Sequence, residues 1–468
     1  MDVRSFLNQN TVILDGGMGT LLQAAGLKAG ELPERRNLTH PDDIVSIHRA
    51  YYDAGSHIVN TNTFGANTVK YSVEELRQII PAAVSHARRA AELSNAPQSK
   101  LVALDIGPLG RLIEPYGNLA FDDAVEIFAT TVRIGVEAGV DLITIETMSD
   151  SMETRAALLA VKENCELPVI VSNAYGADGK LMTGSDPACM VAILEGLGAD
   201  AIGINCSLGP EQMTSVVKKY TDFATLPVLV KPNAGLPRCE GDKTFYDVAP
   251  DVFAATVADF VRNGARLVGG CCGTTPEYIA ALNASCEGVP VAENTDKNRC
   301  VICSYHHSEL LDHIPHPVGK SVSAKDNPAV LSALLEDDLD SIVDEAFEDL
   351  AEGAKILKIH VASDAINEEE TLAAMIKELQ AVINLPFWIQ TDHAAALDRA
   401  LRIYNGKAMV SPTKDSLDDQ AAYFAAMKKY GAVLALEEST DSLKLAAQAA
   451  GIPANHLFDV NDQTIEYV

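Results

Sequence analysis

Gly269-Gly270-Cys271-Cys272-Gly273-Thr274 sets two thiols side by side between glycines, a pattern that suits a soft metal ion better than a packed core. A strand sends consecutive side chains to opposite faces, so both sulfurs reach one ion only where the strand has ended and the backbone turns. The flanking glycines permit that turn. A closed soft-metal site takes about four ligands. Two thiolates leave it unfinished, and a third ligand must come from elsewhere in the chain.

The elements that would position it are legible as short apolar runs at Thr11–Leu14, His57–Val59, Leu101–Leu104, Asp141–Ile145, Pro168–Ser172, Asp200–Ile204, Pro227–Lys231 and Arg266–Gly270. Amphipathic stretches such as Asp122–Ala138, Asp150–Asn164 and Pro210–Tyr220 lie between them. Strand and helix alternating in this way predict a (β/α)8 TIM barrel, whose active site gathers at the carboxyl ends of the strands. Those ends read Asp15-Gly16-Gly17, Asn60-Thr61-Asn62-Thr63, Asp105, Glu146-Thr147, Asn173, Asn205-Cys206, Pro232-Asn233 and Cys271-Cys272. Each alone reads more readily as a turn or helix cap. Together they describe a site.

In such a barrel Cys206, ending the sixth run, meets Cys271 and Cys272, ending the eighth. Three protein ligands with one position open is the catalytic rather than the structural zinc pattern. The alternatives are a buried core cysteine for Cys206, and a vicinal disulfide or packing turn for Cys271-Cys272. A substrate thiol suits the open position, because a free thiol is only a few per cent thiolate at pH 7 whereas a zinc-bound one is deprotonated. The resulting sulfur nucleophile fits alkyl transfer. A small thiol amino acid also needs partners for its charged ends: Asp15 and Glu146 are placed to hold an ammonium, and the amides of Gly16 and Gly17 with Thr63 a carboxylate.

With 468 residues, 47% hydrophobic content and mean hydropathy +0.06, the chain has material for two domains. A formal charge of -29 and a pI near 4.7 argue against nucleic acid and anionic membranes as partners, and leave a basic or cationic partner open. The opening Met1-Asp2-Val3-Arg4-Ser5-Phe6 has no basic region followed by an apolar run, and no apolar stretch approaches about 18 residues, so a cytoplasmic location is expected. Nine scattered cysteines then favour reduced thiols over a disulfide framework.

Leu14-Asp15-Gly16-Gly17-Met18-Gly19-Thr20, Asn62-Thr63-Phe64-Gly65-Ala66, Asp105-Ile106-Gly107-Pro108, Glu146-Thr147, Gly203-Ile204-Asn205-Cys206-Ser207, Pro232-Asn233-Ala234-Gly235 and the Gly-Gly-Cys-Cys-Gly-Thr stretch together resemble the homocysteine S-methyltransferase family. The likeness covers about residues 1–285 and is nearest to the homocysteine-binding barrel of cobalamin-dependent methionine synthases. It implies methyl transfer to a zinc-bound homocysteine, giving methionine. Cys206, Cys271 and Cys272 would be the zinc ligands, Asp15 and Glu146 the partners of the ammonium, and Thr63 with the Gly16 and Gly17 amides those of the carboxylate. Asn233 would lie near enough to take the metal's open position when substrate is absent.

Residues 287–299 read as a linker between a 1–286 barrel and a 300–468 domain. The latter shows candidate strands at Pro317–Val322, Ile356–Val361, Phe387–Thr391, Ala408–Ser411, Ala432–Leu436 and His456–Val460, and helices at Asp338–Ala351, Glu368–Val382, Ala394–Tyr404 and Ser416–Tyr430. Glu352-Gly353-Ala354-Lys355-Ile356-Leu357, Leu397-Asp398-Arg399-Ala400-Leu401 and His456-Leu457-Phe458-Asp459 resemble a pterin-binding barrel, but the ligand positions have changed. Lys358, His360, Gln390 and Ser411-Pro412 stand where that pattern carries acidic and amide groups, Ser321-Val322-Ser323 replaces its opening Arg-Ile-Asn, and Asp459 alone survives.

With six strands, the expectation is a smaller α/β domain resembling an incomplete TIM barrel, with two open edges and an apolar seam. A corrinoid protein or a second copy of the chain, forming a homodimer, would cover that seam. No cobalamin-binding segment is visible, so methylcobalamin would arrive on a separate corrinoid protein. S-methylmethionine, S-adenosylmethionine or betaine are the other donors the resemblance allows, and a non-catalytic thiol-binding scaffold is the reading from a different class. No folate binding is expected, and isothermal titration with methyltetrahydrofolate should show no heat at micromolar concentrations; saturable heat would refute this.

Overall fold

The computed structural model describes residues 1–468 except 29, 241–242, 294, 296, 298, 313, 364, 415–416, 438–440 and 462–463. Three residues of the expected linker and Ser416, the expected start of a helix, lie outside the described residues. The chain forms two compact units, Met1–Thr183 with Ala199–Asp296, and Gly184–Gly198 with Lys297–Val468.

Eight parallel strands build the first unit: Val12–Ile13, Ile58–Asn60, Leu101–Ile106, Leu142–Met148, Val169–Asn173, Ala201–Asn205, Val228–Lys231 and Ala265–Val268. Their described side chains are almost all buried, as strands covered on both faces require, and this is why they read as unbroken apolar runs. The first strand pairs with the eighth, Val12 opposite Leu267, and Leu14 bridges Ile58 of the second, so the sheet closes into a barrel. Inside it Val12, Leu14, Ile58, Leu101, Ala103, Leu142, Ile170, Ala201, Leu229 and Leu267 form one cluster, joined by Leu7 of the opening helix Val3–Gln9.

Because side chains alternate along a strand, counting upward by two from this cluster stays inside the barrel. The count leads from Ile58 to Asn60, from Ala103 to Asp105, from Leu142 through Thr144 to Glu146, from Ala201 through Gly203 to Asn205, and from Leu229 to Lys231. The apolar floor and the polar site are successive layers of the same strands. Gly203 leaves room for its neighbour here: a Cβ at this position would stand 1.9 Å from the Leu229 carbonyl oxygen of the seventh strand.

The second unit carries a seven-stranded parallel sheet in the order Leu457–Asp459, Val433–Leu436, Met409–Ser411, Phe387–Gln390, Ile356–His360, His316–Gly319, Ile465–Tyr467. The six expected strands are present, and the seventh corrects the expectation. Ile465–Tyr467 pairs with the first strand, His316 opposite Ile465, and covers the edge that was to be open. Three residues with only Ile465 buried make no apolar run, so nothing in the sequence announced it.

This sheet curls. Thr464 accepts from His316 N at 3.0 Å through its carbonyl and donates to the Asp459 carbonyl at 3.1 Å, and the His316 and Phe458 rings sit 6.1 Å apart, joining the sixth strand to the first. A hairpin of Cys300–Cys303 and Ser308–Leu311 adds Ile302 and Leu311 to the interior core. The expected apolar seam is therefore largely covered from within the chain.

Above that core, Lys358 Nζ lies 4.0 Å from the centre of the Trp388 ring and 3.3 Å from Glu437 Oε1. Gln390 Nε2 donates to the same Glu437 oxygen at 3.2 Å, and Trp388 Nε1 to Ser411 Oγ at 2.9 Å. The surviving Asp459 is exposed and paired with Lys444 at 3.2 Å.

Candidate active site

Cys206, Cys271 and Cys272 are free thiols whose sulfurs lie within 4.8 Å of one another, with 3.9 Å between Cys206 Sγ and Cys272 Sγ. Tetrahedral ligands at the usual zinc–sulfur length of about 2.3 Å stand about 3.8 Å apart, close to the spacing of Cys206 and Cys272, so the residues present suit such an ion. The vicinal-disulfide and core-cysteine alternatives do not describe this arrangement. Cys206 and Ser207 have φ of 59° and 57°, a left-handed turn just past the sixth strand that swings the sulfur across to the eighth.

The eighth strand's end turns at Gly273, φ 80°, where a Cβ would stand 2.4 Å from the Tyr246 ring. Hydrogen bonds from Cys206, Cys271 and the Tyr246 phenol favour the thiolate on Cys272 and lower its pKa to about 3. The same bonds to Cys206 and Cys272, with burial, push Cys271 well above the ordinary thiol range.

These sulfurs form part of the wall of a cavity of about 300 Å³, which also includes Asp15, Gly16, Gly17, Asn60, Asp105, Glu146 and Lys231. Lys231 is buried, with Nζ 2.9 Å from Glu146 Oε2 and 3.4 Å from Asp15 Oδ1. Burial opposes its charge, but the Glu146 and Asp15 carboxylates outweigh that and hold the ammonium protonated. Asp15 Oδ2 accepts from Asn60 N at 2.7 Å, and burial raises its pKa to about 6 against the pull of Lys231. Burial, with Glu146 nearby, pushes Asp105 well above the carboxylate range.

Asn205 ties the two sides together. Its Oδ1 accepts from Thr147 N at 2.8 Å, and its Nδ2 donates to Thr147 Oγ1 at 2.7 Å and to Cys271 Sγ at 3.9 Å. The two bonds to Thr147 pin a β-branched residue at φ 65°, a conformation that costs about 1–3 kcal/mol unless its surroundings enforce it.

Of the residues expected from sequence, the structure brings Asp15, Gly16, Gly17, Glu146, Cys206, Cys271 and Cys272 around one cavity. Thr63 and Asn233 do not line it. Thr63 Oγ1 donates to the Asp105 carbonyl at 2.8 Å, and Asn233 Oδ1 accepts from Cys272 N at 3.0 Å, supporting the turn that carries the ligands. The Gly17 amide already donates to Thr274 Oγ1 at 3.2 Å. The sequence places Asn60, Asp105 and Asn205 among the polar strand ends without giving them a role, and Lys231 was not singled out. A lysine inside Val228-Leu229-Val230-Lys231 was the available signal.

A homocysteine S-methyltransferase family profile matches residues 12–286. The chain belongs to the homocysteine S-methyltransferase family. The metallated form of the homocysteine methyltransferase MmuM from Escherichia coli is 26% identical, with a TM-score of 0.52, over 60% of this chain and 99% of that one. The methionine synthases of Mycobacterium tuberculosis and Mycobacterium leprae are each 29% identical over 437 residues, 88% of this chain and 36% of their own length. This chain therefore spans about a third of the length of these curated relatives, and the likeness runs past the family match into the second unit.

Proposed function

We propose that the chain methylates the sulfur of homocysteine to give methionine, with zinc held by Cys206, Cys271 and Cys272. The observation that carries this is three thiols within 4.8 Å of one another in the wall of a cavity that also holds the carboxyls of Asp15, Glu34, Asp105 and Glu146 and the ammonium of Lys231. Zinc, when bound, supplies the charge that keeps a substrate thiol deprotonated at neutral pH.

The chain's own residues do the rest. Asn205 and Asn233 orient the cysteine ligands through Cys271 Sγ and Cys272 N, and the carboxyl layer holds the amino-acid end so that the sulfur points at the cluster. The substrate thiol loses its proton, and its sulfur forms a bond to the methyl carbon as the donor's bond to that carbon breaks, leaving the electrons on the donor.

The donor we favour is a methylcorrinoid, because the likeness to methionine synthases extends over 88% of this chain. Residues 1–286 are read as the methyltransferase barrel, 287–299 as a linker and 300–468 as a pterin-type domain that does not bind folate, a reading supported by the way Lys358, Glu437, Gln390 and Ser411 bond to one another. The covered seam weakens the case for a homodimer through that domain. Among the described residues no helix is long and apolar enough to cross a membrane, in keeping with a cytoplasmic enzyme.

Methionine formation from homocysteine, assayed in parallel with methylcobalamin, S-methylmethionine, S-adenosylmethionine and betaine, tests the proposal. Turnover with methylcobalamin is expected. Turnover with another donor alone would reassign the methyl source, and no turnover with any, or with a corrinoid protein, would favour a thiol-binding scaffold.

A further inference from the structure

Asp15 and Glu146, the carboxyls expected to take the substrate's ammonium, already hold an ammonium belonging to the chain. Lys231 Nζ stands 2.9 Å from Glu146 Oε2 and 3.4 Å from Asp15 Oδ1, and its side chain is 2% exposed. Asn60 occupies further capacity, donating its N–H to Asp15 Oδ2 at 2.7 Å and its Nδ2 to Glu146 Oε2 at 3.0 Å. A second cation placed on those oxygens would face Lys231 at close range in a buried setting, where like charges repel far more strongly than in water.

The next strand offers what Asp15 and Glu146 no longer do. Asp105 Oδ1 and Asn60 Oδ1 are buried acceptors without a hydrogen-bond partner, and both residues line the cavity. Buried polar atoms are nearly always satisfied, so two orphans on adjacent strands mark a place for a donor that arrives with a ligand. Charge gives the same answer: of the four carboxyls lining the cavity, Glu34 accepts from Gly65 N and the Tyr71 phenol, Asp15 and Glu146 hold Lys231, and Asp105 keeps an oxygen without a partner.

We propose that Asp105, with Asn60 Oδ1 beside it, receives the substrate's α-ammonium in this chain, while Lys231 permanently fills the position between Asp15 and Glu146. The inference rests on the reading that homocysteine binds with its sulfur at the three cysteines. Burial and the nearby Glu146 favour the neutral form of Asp105 in the empty cavity, and an incoming ammonium supplies the opposing charge that favours its carboxylate.

The test measures binding to the zinc-loaded full-length protein, without any methyl donor, of homocysteine and of 4-mercaptobutanoate, which lacks only the amino group. In Asp105→Asn, homocysteine affinity is expected to fall about 100-fold, as loss of one member of a buried charge pair does, while 4-mercaptobutanoate changes less than about 3-fold. Unchanged homocysteine affinity, or equal loss for both ligands, overturns the proposal. A crystal structure of the wild-type complex repeats the test without a variant: the amino nitrogen should lie on Asp105 Oδ1, and finding it on Asp15 overturns the assignment. A wild-type protein that binds 4-mercaptobutanoate as tightly as homocysteine also overturns it, whereas failure to bind either thiol removes the functional reading itself.

Discussion

Cys206→Ala is expected to leave the protein without stoichiometric zinc and to lower homocysteine methylation by more than about 100-fold. Loss of a group that merely supports a metal ligand costs about 10–100-fold, and removing one of only three protein ligands should exceed that range. The effect separates cleanly from misfolding. Cys206 sits at φ 59°, and alanine keeps the same Cβ at that angle, so backbone strain is unchanged and the thermal unfolding midpoint of the metal-free forms should agree within a few degrees. Metal analysis by mass spectrometry alongside turnover decides it. Full zinc occupancy with normal activity would show that the cysteine cluster is not the metal centre.

Lys231→Met should be the most destabilising single substitution in the first unit that leaves the apolar floor intact. Methionine retains the length of the lysine stem but removes the only ammonium between Asp15 and Glu146, which are 2% and 7% exposed. Breaking a buried ion pair from one side costs about 3–5 kcal/mol, and urea unfolding at pH 7 should show a loss of that order.

The pH dependence follows from Asp15, whose carboxyl is raised to about 6 by burial even with the lysine present. A raised acid binds its proton more tightly folded than unfolded, so its contribution to stability falls as pH climbs from about 4 to about 6 and is flat above. Without Lys231 that window extends upward. The Lys231→Met penalty should therefore shrink when unfolding is repeated at pH 5, and a penalty under about 1 kcal/mol at pH 7 would mean that the lysine does not hold these carboxylates.

The barrel was readable because its strands are buried on both faces and appear as uninterrupted Val, Ile and Leu runs, and because Cys206, Cys271 and Cys272 lie just past strand ends, where side chains reach a common mouth. The presence of Lys231 and the individual roles of Asn60, Asp105 and Asn205 were harder to read for a specific reason. These residues belong to the strands themselves, and whether such a residue points into the barrel or toward the helices depends on which alternate residues form the interior layer. That phase is fixed by pairing between strands far apart in sequence, Asn60 opposite Ala103 and Asn205 opposite Lys231 among them.

Thr63 and Asn233 illustrate the opposite case. Their positions at strand ends suggested ligand contact, yet tight turns used their polar atoms on Asp105 O and Cys272 N. In the second unit the closing strand Ile465–Tyr467 was invisible because a three-residue edge strand with one buried side chain carries no periodic signal. Lys358, Gln390 and Ser411 stood out in the sequence residue by residue, and the network joining them to Glu437 and Trp388 did not.

The central claim is that the three cysteines hold zinc and leave one place for the sulfur of the substrate. X-ray absorption at the zinc edge, on wild-type protein with and without homocysteine, measures this directly. The account predicts three sulfur neighbours in the protein alone and four once homocysteine is added. A sulfur count unchanged by homocysteine would contradict it.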